Sequence, residues 1–387
     1  MHRPQKFFGA IIGVFCAAVV LAVAFGHAGR DRFMPTGPIL SDCEGALRAV
    51  VIHYEPKARD SVATIYRQFL NHLDANVTVY GVCPGTAAYQ ELLALVGKTP
   101  CRLEPIIVPH AITTWSRDRW VSLESLGNGP VTLWHPREER ARDIWPERAG
   151  DEQVAADIAE RLGCDVAATR SLLYFDGGDF VADAETVFVT PAVALRNIQR
   201  TVADSSELLE ALAACLKRRV VLLNEAPDHH AGMFMMPIGH RTVLVGDPSL
   251  ARQYVSPNPF GTSEPDTPGT EAFLDLPGGC NWDAETQRLF DAVAKRCIDA
   301  GYQVVRMPLV PARDGRTYLS YLNVIIDAKQ EGRIVYLPTY AGAERLNDAA
   351  AVIWQHLGYE VRRVDCSGSF RHFGSLRCLV NVLARSR

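Results

Sequence analysis

The sequence predicts an α/β protein with a large core, and three observations carry that reading. Strand-like and helix-like stretches alternate along most of the chain. The 387 residues are 48 % hydrophobic and 22 % charged, enough apolar surface for one big domain or two ordinary ones. Neither a Gly-x-Gly-x-x-Gly turn nor a Walker loop interrupts the alternation, so nucleotide binding is not favoured. A net charge of −4 lacks the basic stripe that nucleic acid requires.

Taken in order, strands are expected at 48–54, 77–82, 101–108, 131–134, 187–190, 220–223, 242–245, 304–307, 333–337 and 361–364. Between them, apolar residues recur at helical spacing over 61–73, 86–96, 151–162, 205–217, 284–300 and 343–357. Residues Pro257 to Gly279 hold five prolines and four glycines and read as a long loop.

The N-terminus differs. A short basic lead precedes the uncharged apolar run Phe7 to Gly26, with small residues following. Residues 1–28 read as an export signal or a membrane anchor through 7–26, and 29–46 as a linker. Ten cysteines are present. Without Cys16 in the leader and Cys378 as a thiol, the remaining eight suffice for four disulfides in an oxidising compartment. No Cys-x-x-Cys or His-x-x-x-His occurs, so a zinc site has no support.

Four turns concentrate the chemistry. Trp115-Ser116-Arg117-Asp118-Arg119-Trp120 sets a carboxylate between arginines and aromatic walls, either a salt-bridge cluster or a seat for a cation. Tyr174-Phe175-Asp176-Gly177-Gly178-Asp179-Phe180 presses two acids between apolar residues, as a hairpin or as buried carboxylates in need of partners. Pro227-Asp228-His229-His230-Ala231-Gly232 supplies paired imidazoles. Phe373-Gly374-Ser375-Leu376-Arg377-Cys378 brings a cysteine behind a glycine turn. It is either a buried small hydrophobe or a thiol at the lip of a cleft.

Together, in this order, Trp-x-Arg-Asp, Asp-Gly-Gly-Asp-Phe, the His230 turn and Gly-Ser-Leu-Arg-Cys resemble the guanidino-group-modifying, or pentein, superfamily. Its members include agmatine, arginine and peptidyl-arginine deiminases, dimethylarginine hydrolases and amidinotransferases. Two lesser matches lie at 230–247 and at 320–340, each resembling a strand pair of that family. The resemblance implies one domain over 47–387: five ββαβ-type modules around a pseudo-fivefold axis with a central acidic pocket. It also implies Cys378 as nucleophile, His230 as general acid/base and Asp176 as the residue orienting His230. Asp118 would hold the substrate guanidinium, with Trp115, Arg117 and Asp179 in the substrate set, Asp179 serving chiefly to brace its turn. No metal or organic cofactor is implied, and the substrate would be a small or peptidyl guanidino compound.

The expected reaction is hydrolysis to a ureido product through a covalent thiouronium. Dimethylarginine-type hydrolysis, amidino transfer and an inactive pentein that binds a cation are the alternatives. One departure bears on them. Deiminases commonly have His-x-Asp, whereas this chain has Gly232. A missing carboxylate is expected to weaken binding of an unsubstituted guanidinium and to leave room beside it, unless Asp228 or His229 compensates. Cys280, a rival nucleophile by local chemistry, is given a disulfide role.

Overall fold

The computed structural model describes residues 37–125, 127, 129–139, 148–255 and 276–386. The leader, Cys16 and most of the Pro257–Gly279 loop lie outside them. Three strands open the chain: β1 (Leu47–His53), β2 (Thr78–Cys83) and β3 (Arg102–Ile107) run parallel. Helix Arg59–His72 crosses between the first two, and Val62, Ile65, Tyr66, Phe69 and Leu70 form its buried stripe. After that, one unit recurs. β4 (Val121–Leu123) pairs antiparallel with β5 (Val131–His135), and β6 (Val166–Arg170) returns parallel after helix Asp151–Leu162.

The same pattern builds β7 (Phe180–Ala182), β8 (Thr186–Val189) and β9 (Arg219–Leu222). It continues through β10 (Met235–Pro237), β11 (Thr242–Asp247) and β12 (Gln303–Pro311), where β13 (Tyr318–Ser320) adds an edge. A further unit holds β14 (Ile325–Ala328), β15 (Arg333–Thr339) and β16 (Tyr359–Asp365). The fifth hairpin is made by distant strands: β17 (Val380–Arg385) lies antiparallel to β1. Five small sheets result, each a hairpin joined to a parallel crossover, in keeping with the five-module expectation.

The strands and helices expected from the sequence are found within a few residues, while parallel strand β6 and helices Pro191–Asn197 and Pro248–Val255 were not expected. The lesser match at 320–340 shifts: the strand that pairs with β15 is Ile325–Ala328, not 320–323. The short hairpin strands are mostly new, and each follows a turn that faces the middle of the molecule.

Two expectations fail. Within the supposed linker, residues 37–46 belong to the domain: Ile39 N–H donates to Leu216, Leu40 N–H to Ser122 and Asp42 N–H to Ala182. Nor do the cysteines supply the four disulfides. Cys43, Cys83, Cys101, Cys164, Cys215, Cys297 and Cys366 are free, all but Cys164 buried as small apolar side chains, and Cys378 is free as well. Cys280 lies in a backbone bridge with Ala312.

Asp42 explains why the first segment is held. Its carboxylate lies 2.9 Å from Nη2 of buried Arg377 and 4.0 Å from Arg117, and it accepts the Ala182 N–H. Burial raises its pKa, but Arg377 and then Arg117 outweigh that, and the net shift is downward. A depressed carboxylate contributes stability above its unfolded value of about 3.9, lost as pH falls through the folded value. Asp42→Asn leaves two buried guanidiniums without their anion. It is expected to cost about 3 kcal/mol in urea unfolding at pH 7. The gap between variant and parent should narrow below about pH 4.

Candidate active site

Each module has one turn just ahead of a hairpin strand, and four of the five line one cleft, the Asn323 turn backing Cys378. Asp118 precedes β4, Asp176 to Asp179 precede β7, and His230 precedes β10. Asn323 precedes β14, and Cys378 precedes β17. The cleft has two adjoining lobes of about 410 and 380 Å³. Trp115, Asp118 and Cys378 line the first, Asp176, Asp179 and Arg196 the second. Arg148, His230 and Phe373 line both.

Glycine is required where the turns meet. A Cβ on Gly178 would lie 2.4 Å from Nδ1 of His230, so the Asp-Gly-Gly-Asp turn is flat against the imidazole. A Cβ on Gly374 would lie 2.4 Å from the Trp115 ring, and that closeness sets Trp115 against the cysteine turn. Asp179 caps its own turn, accepting the Asp176 N–H at 2.9 Å and the Thr190 hydroxyl at 3.0 Å. Its role is bracing.

His230 stands between two acids. Nδ1 faces Asp118 Oδ1 at 3.7 Å and Nε2 faces Asp176 Oδ2 at 3.9 Å. Both are ion-pair distances, too long for direct hydrogen bonds. Burial alone would lower its pKa; Asp118, followed by Asp176 and Cys378, raises it well above the usual value. Asp176 itself is held as a carboxylate. Burial works to raise its pKa, yet His230, Arg148 and Arg196 bring it well below the ordinary range. Arg119 and Arg196 each donate to it at 3.0 Å.

Cys378 is fixed by a residue the sequence did not mark as part of a site. Asn323 Nδ2 donates to Cys378 Sγ at 3.5 Å, while Asn323 Oδ1 accepts the N–H groups of Arg377 and Cys378. A lone asparagine has no spacing signal; only its place ahead of a hairpin strand, repeated in every module, marks it.

Other expected roles change. Arg117 does not line the cleft: it is buried, donating to Gly177 O, Phe180 O and Asn381 Oδ1, which ties three modules together. Trp120 is wholly buried in the core, leaving Trp115 as the aromatic wall. The room expected beside Gly232 is filled, since a Cβ there would meet Arg377 Nη1 at 2.8 Å. His229 is no substitute for the missing acid. Burial, then neighbouring His230, pushes it down to about 3, so it stays neutral; its Nδ1 accepts the His230 N–H. The central pocket is also not acidic on balance. Asp118, Asp176, Asp179 and Asp228 are met by Arg148, Arg196, Arg316 and the His230 imidazolium.

The raised His230 value is directly testable. Its proton stabilises the fold below about pH 6.5, and that contribution fades as pH rises through the raised value. In histidine-labelled protein followed by NMR, His230 should remain imidazolium through neutral pH. Asp118→Asn is expected to bring its midpoint down by about one unit or more. An unmoved midpoint would show that Asp118 is not the controlling charge.

Neither a protein-family model nor a curated protein sequence matches the chain. Solved structures do. A cysteine-to-serine form of C. jejuni agmatine deiminase with substrate bound is 12% identical, with a TM-score of 0.65. The alignment covers 90% of this chain and 97% of that one. An assigned arginine deiminase from Porphyromonas gingivalis is 18% identical over 88% and 96%, with a TM-score of 0.65. Agmatine deiminase of Enterococcus faecalis is 14% identical over 90% and 96%, with a TM-score of 0.59. At such identities the likeness is one of architecture, and it spans nearly the whole of both chains. The chain has the pentein fold of these deiminase structures.

Proposed function

We propose that the protein is a cysteine-dependent hydrolase of a guanidino group. The observation that carries this is the meeting of Cys378, His230, Asp118 and Asp176, from four different modules, around one cleft. Asp118 Oδ1 and His230 Nδ1 are buried there without a hydrogen-bond partner, and such atoms favour a polar ligand that satisfies them.

In this reading a guanidinium N–H takes Asp118 Oδ1, and Trp115 forms a wall of the same lobe. The Cys378 thiolate attacks the central carbon, forming the C–S bond. As the C–N bond breaks, the departing nitrogen takes the His230 proton and leaves as ammonia or an alkylamine. Water then attacks the thiouronium, giving its proton to His230. The C–S bond breaks, the remaining hydroxyl proton passes to solvent, and a neutral ureido product and the thiolate remain. Asp176, across from Nε2, keeps the imidazolium in place. Amidino transfer shares the first half and differs in using an amine instead of water. Dimethylarginine-type hydrolysis loses its main support, since Arg377 fills the space beside Gly232.

The test is an assay for ureido product with arginine, agmatine, methylated arginines and an arginyl peptide. At least one should turn over, and Cys378→Ser should lower the rate by about a thousandfold or more. A halo-amidine probe is expected to label Cys378, as read by mass spectrometry. Unchanged turnover in Cys378→Ser, or label on Cys280 instead, would remove the assignment.

We also propose that residues 1–28 direct the protein out of the cytoplasm, on the apolar run from Phe7 to Gly26. N-terminal sequencing of the protein from a membrane-free exported fraction should begin near residue 28 if the run is a cleaved signal. Intact protein confined to the membrane fraction indicates an anchor. Intact protein in the cytoplasm refutes the proposal.

A further inference from the structure

The guanidinium seat is already half taken. Arg148 Nη2 donates to Asp118 Oδ2 at 2.6 Å, so the carboxylate expected to grip a substrate guanidinium holds one from its own chain. The pair is well buried: the Asp118 side chain is 6% exposed and that of Arg148 24%. Only Asp118 Oδ1, buried and 3.7 Å from His230 Nδ1, lacks a hydrogen-bond partner. A planar cation therefore cannot take both oxygens side by side, the arrangement that makes guanidinium–carboxylate pairs strong, without evicting Arg148.

Eviction needs somewhere for Arg148 to go. Its Nε is buried without a hydrogen-bond partner, and its next carboxylate, Asp151, is 3.9 Å away. Asp151 in turn is committed to Thr113, accepting its N–H at 2.7 Å and its hydroxyl at 2.6 Å. Asp176 is shared among Arg119, Arg196 and His230. Glu139 is engaged by Arg196 and Arg119. The acids that act on Arg148 are spoken for; Asp228, in the second lobe, is not among them.

The charge count points the same way. Cys378 aside, the cleft's carboxylates are balanced by three arginines and an imidazolium, so in a Cys378→Ser protein, which has no thiolate, a bare monocation adds an unanswered positive charge. A ligand that brings its own anion does not. Arg148 lines both lobes and is placed to accept that anion when it releases Asp118.

We propose that Arg148 is a specificity-determining residue: it competes with the substrate guanidinium for Asp118, and it yields to guanidino compounds that also carry an anionic group. This rests on reading the cleft as a guanidino site, and the experiment separates the two. Arginine and agmatine share the guanidinium and differ in the carboxylate. Their affinities for the Cys378→Ser protein, where turnover is blocked, can be measured by calorimetry alongside Cys378→Ser/Arg148→Met. The single variant should favour arginine. Adding Arg148→Met should tighten agmatine by about tenfold or more and weaken arginine, the scale of one charged hydrogen bond. Because a buried Asp118 left alone could harm folding, Cys378→Ser/Arg148→Lys is measured too. It keeps the charge and should retain the arginine preference. Equal changes for both ligands, or agmatine no tighter in the Met variant, overturn the role of Arg148 alone. Binding of neither ligand by any of the three proteins overturns the guanidino reading itself.

Discussion

The antiparallel ladder between β17 and β1 is the contact on which the cleft depends. Leu47 pairs with Arg385 and Ile52 with Val380, and the cysteine turn sits immediately ahead of that last pair. Slide this register by one residue and the inward side chains of β17 would turn outward, carrying the turn with them. The ladder is reinforced by side chains that cross it. Asn381 donates to Ser116 O and Trp120 O and accepts from Arg117, joining β17 to the turn that bears Asp118.

Around that frame the molecule buries an unusual number of charges, and it does so by pairing them. Arg117 and Arg377 share Asp42, while Arg119 is divided among Glu152, Asp176 and Glu139. A buried ion without its counter-charge costs several kcal/mol, so each of these acids is needed for its arginine to be tolerated. The arrangement has a chemical side as well. Because His230, Arg148 and Arg196 surround it, Asp176 keeps its negative charge where a lone buried carboxylate would tend to take up a proton.

Much of the scaffold was legible because its signals are local. The stripe from Val62 to Leu70 and the long runs around β12 and β15 declare period and burial directly. The three-residue strands β4, β7 and β10 are too short to show any period, and their pairing is fixed by the turns before them. Within the site, turns with a chemical signature could be read: Asp118, Asp176, His230 and Cys378 do share a cleft. Single polar residues could not. Asp42, Arg148 and Asn323 find partners 335, 30 and 55 positions away, and nothing in their neighbourhoods announces it. Arg117 was misjudged for the related reason that a charged residue in a polar turn looks exposed. The even cysteine count misled because burial, not pairing, explains most of the thiols.

Closing the ring through strands so remote in sequence has a kinetic side. Ala46 N–H finds the Ser386 hydroxyl across 340 positions, a loop whose ordering entropy must be met before the contact returns anything. Contacts of that span form slowly, whereas the crossover units are local and quick. Until the two ends zip together, β1 presents a bare edge of hydrogen-bonding groups to any passing strand. The period before closure is therefore when an incompletely folded molecule is most open to self-association.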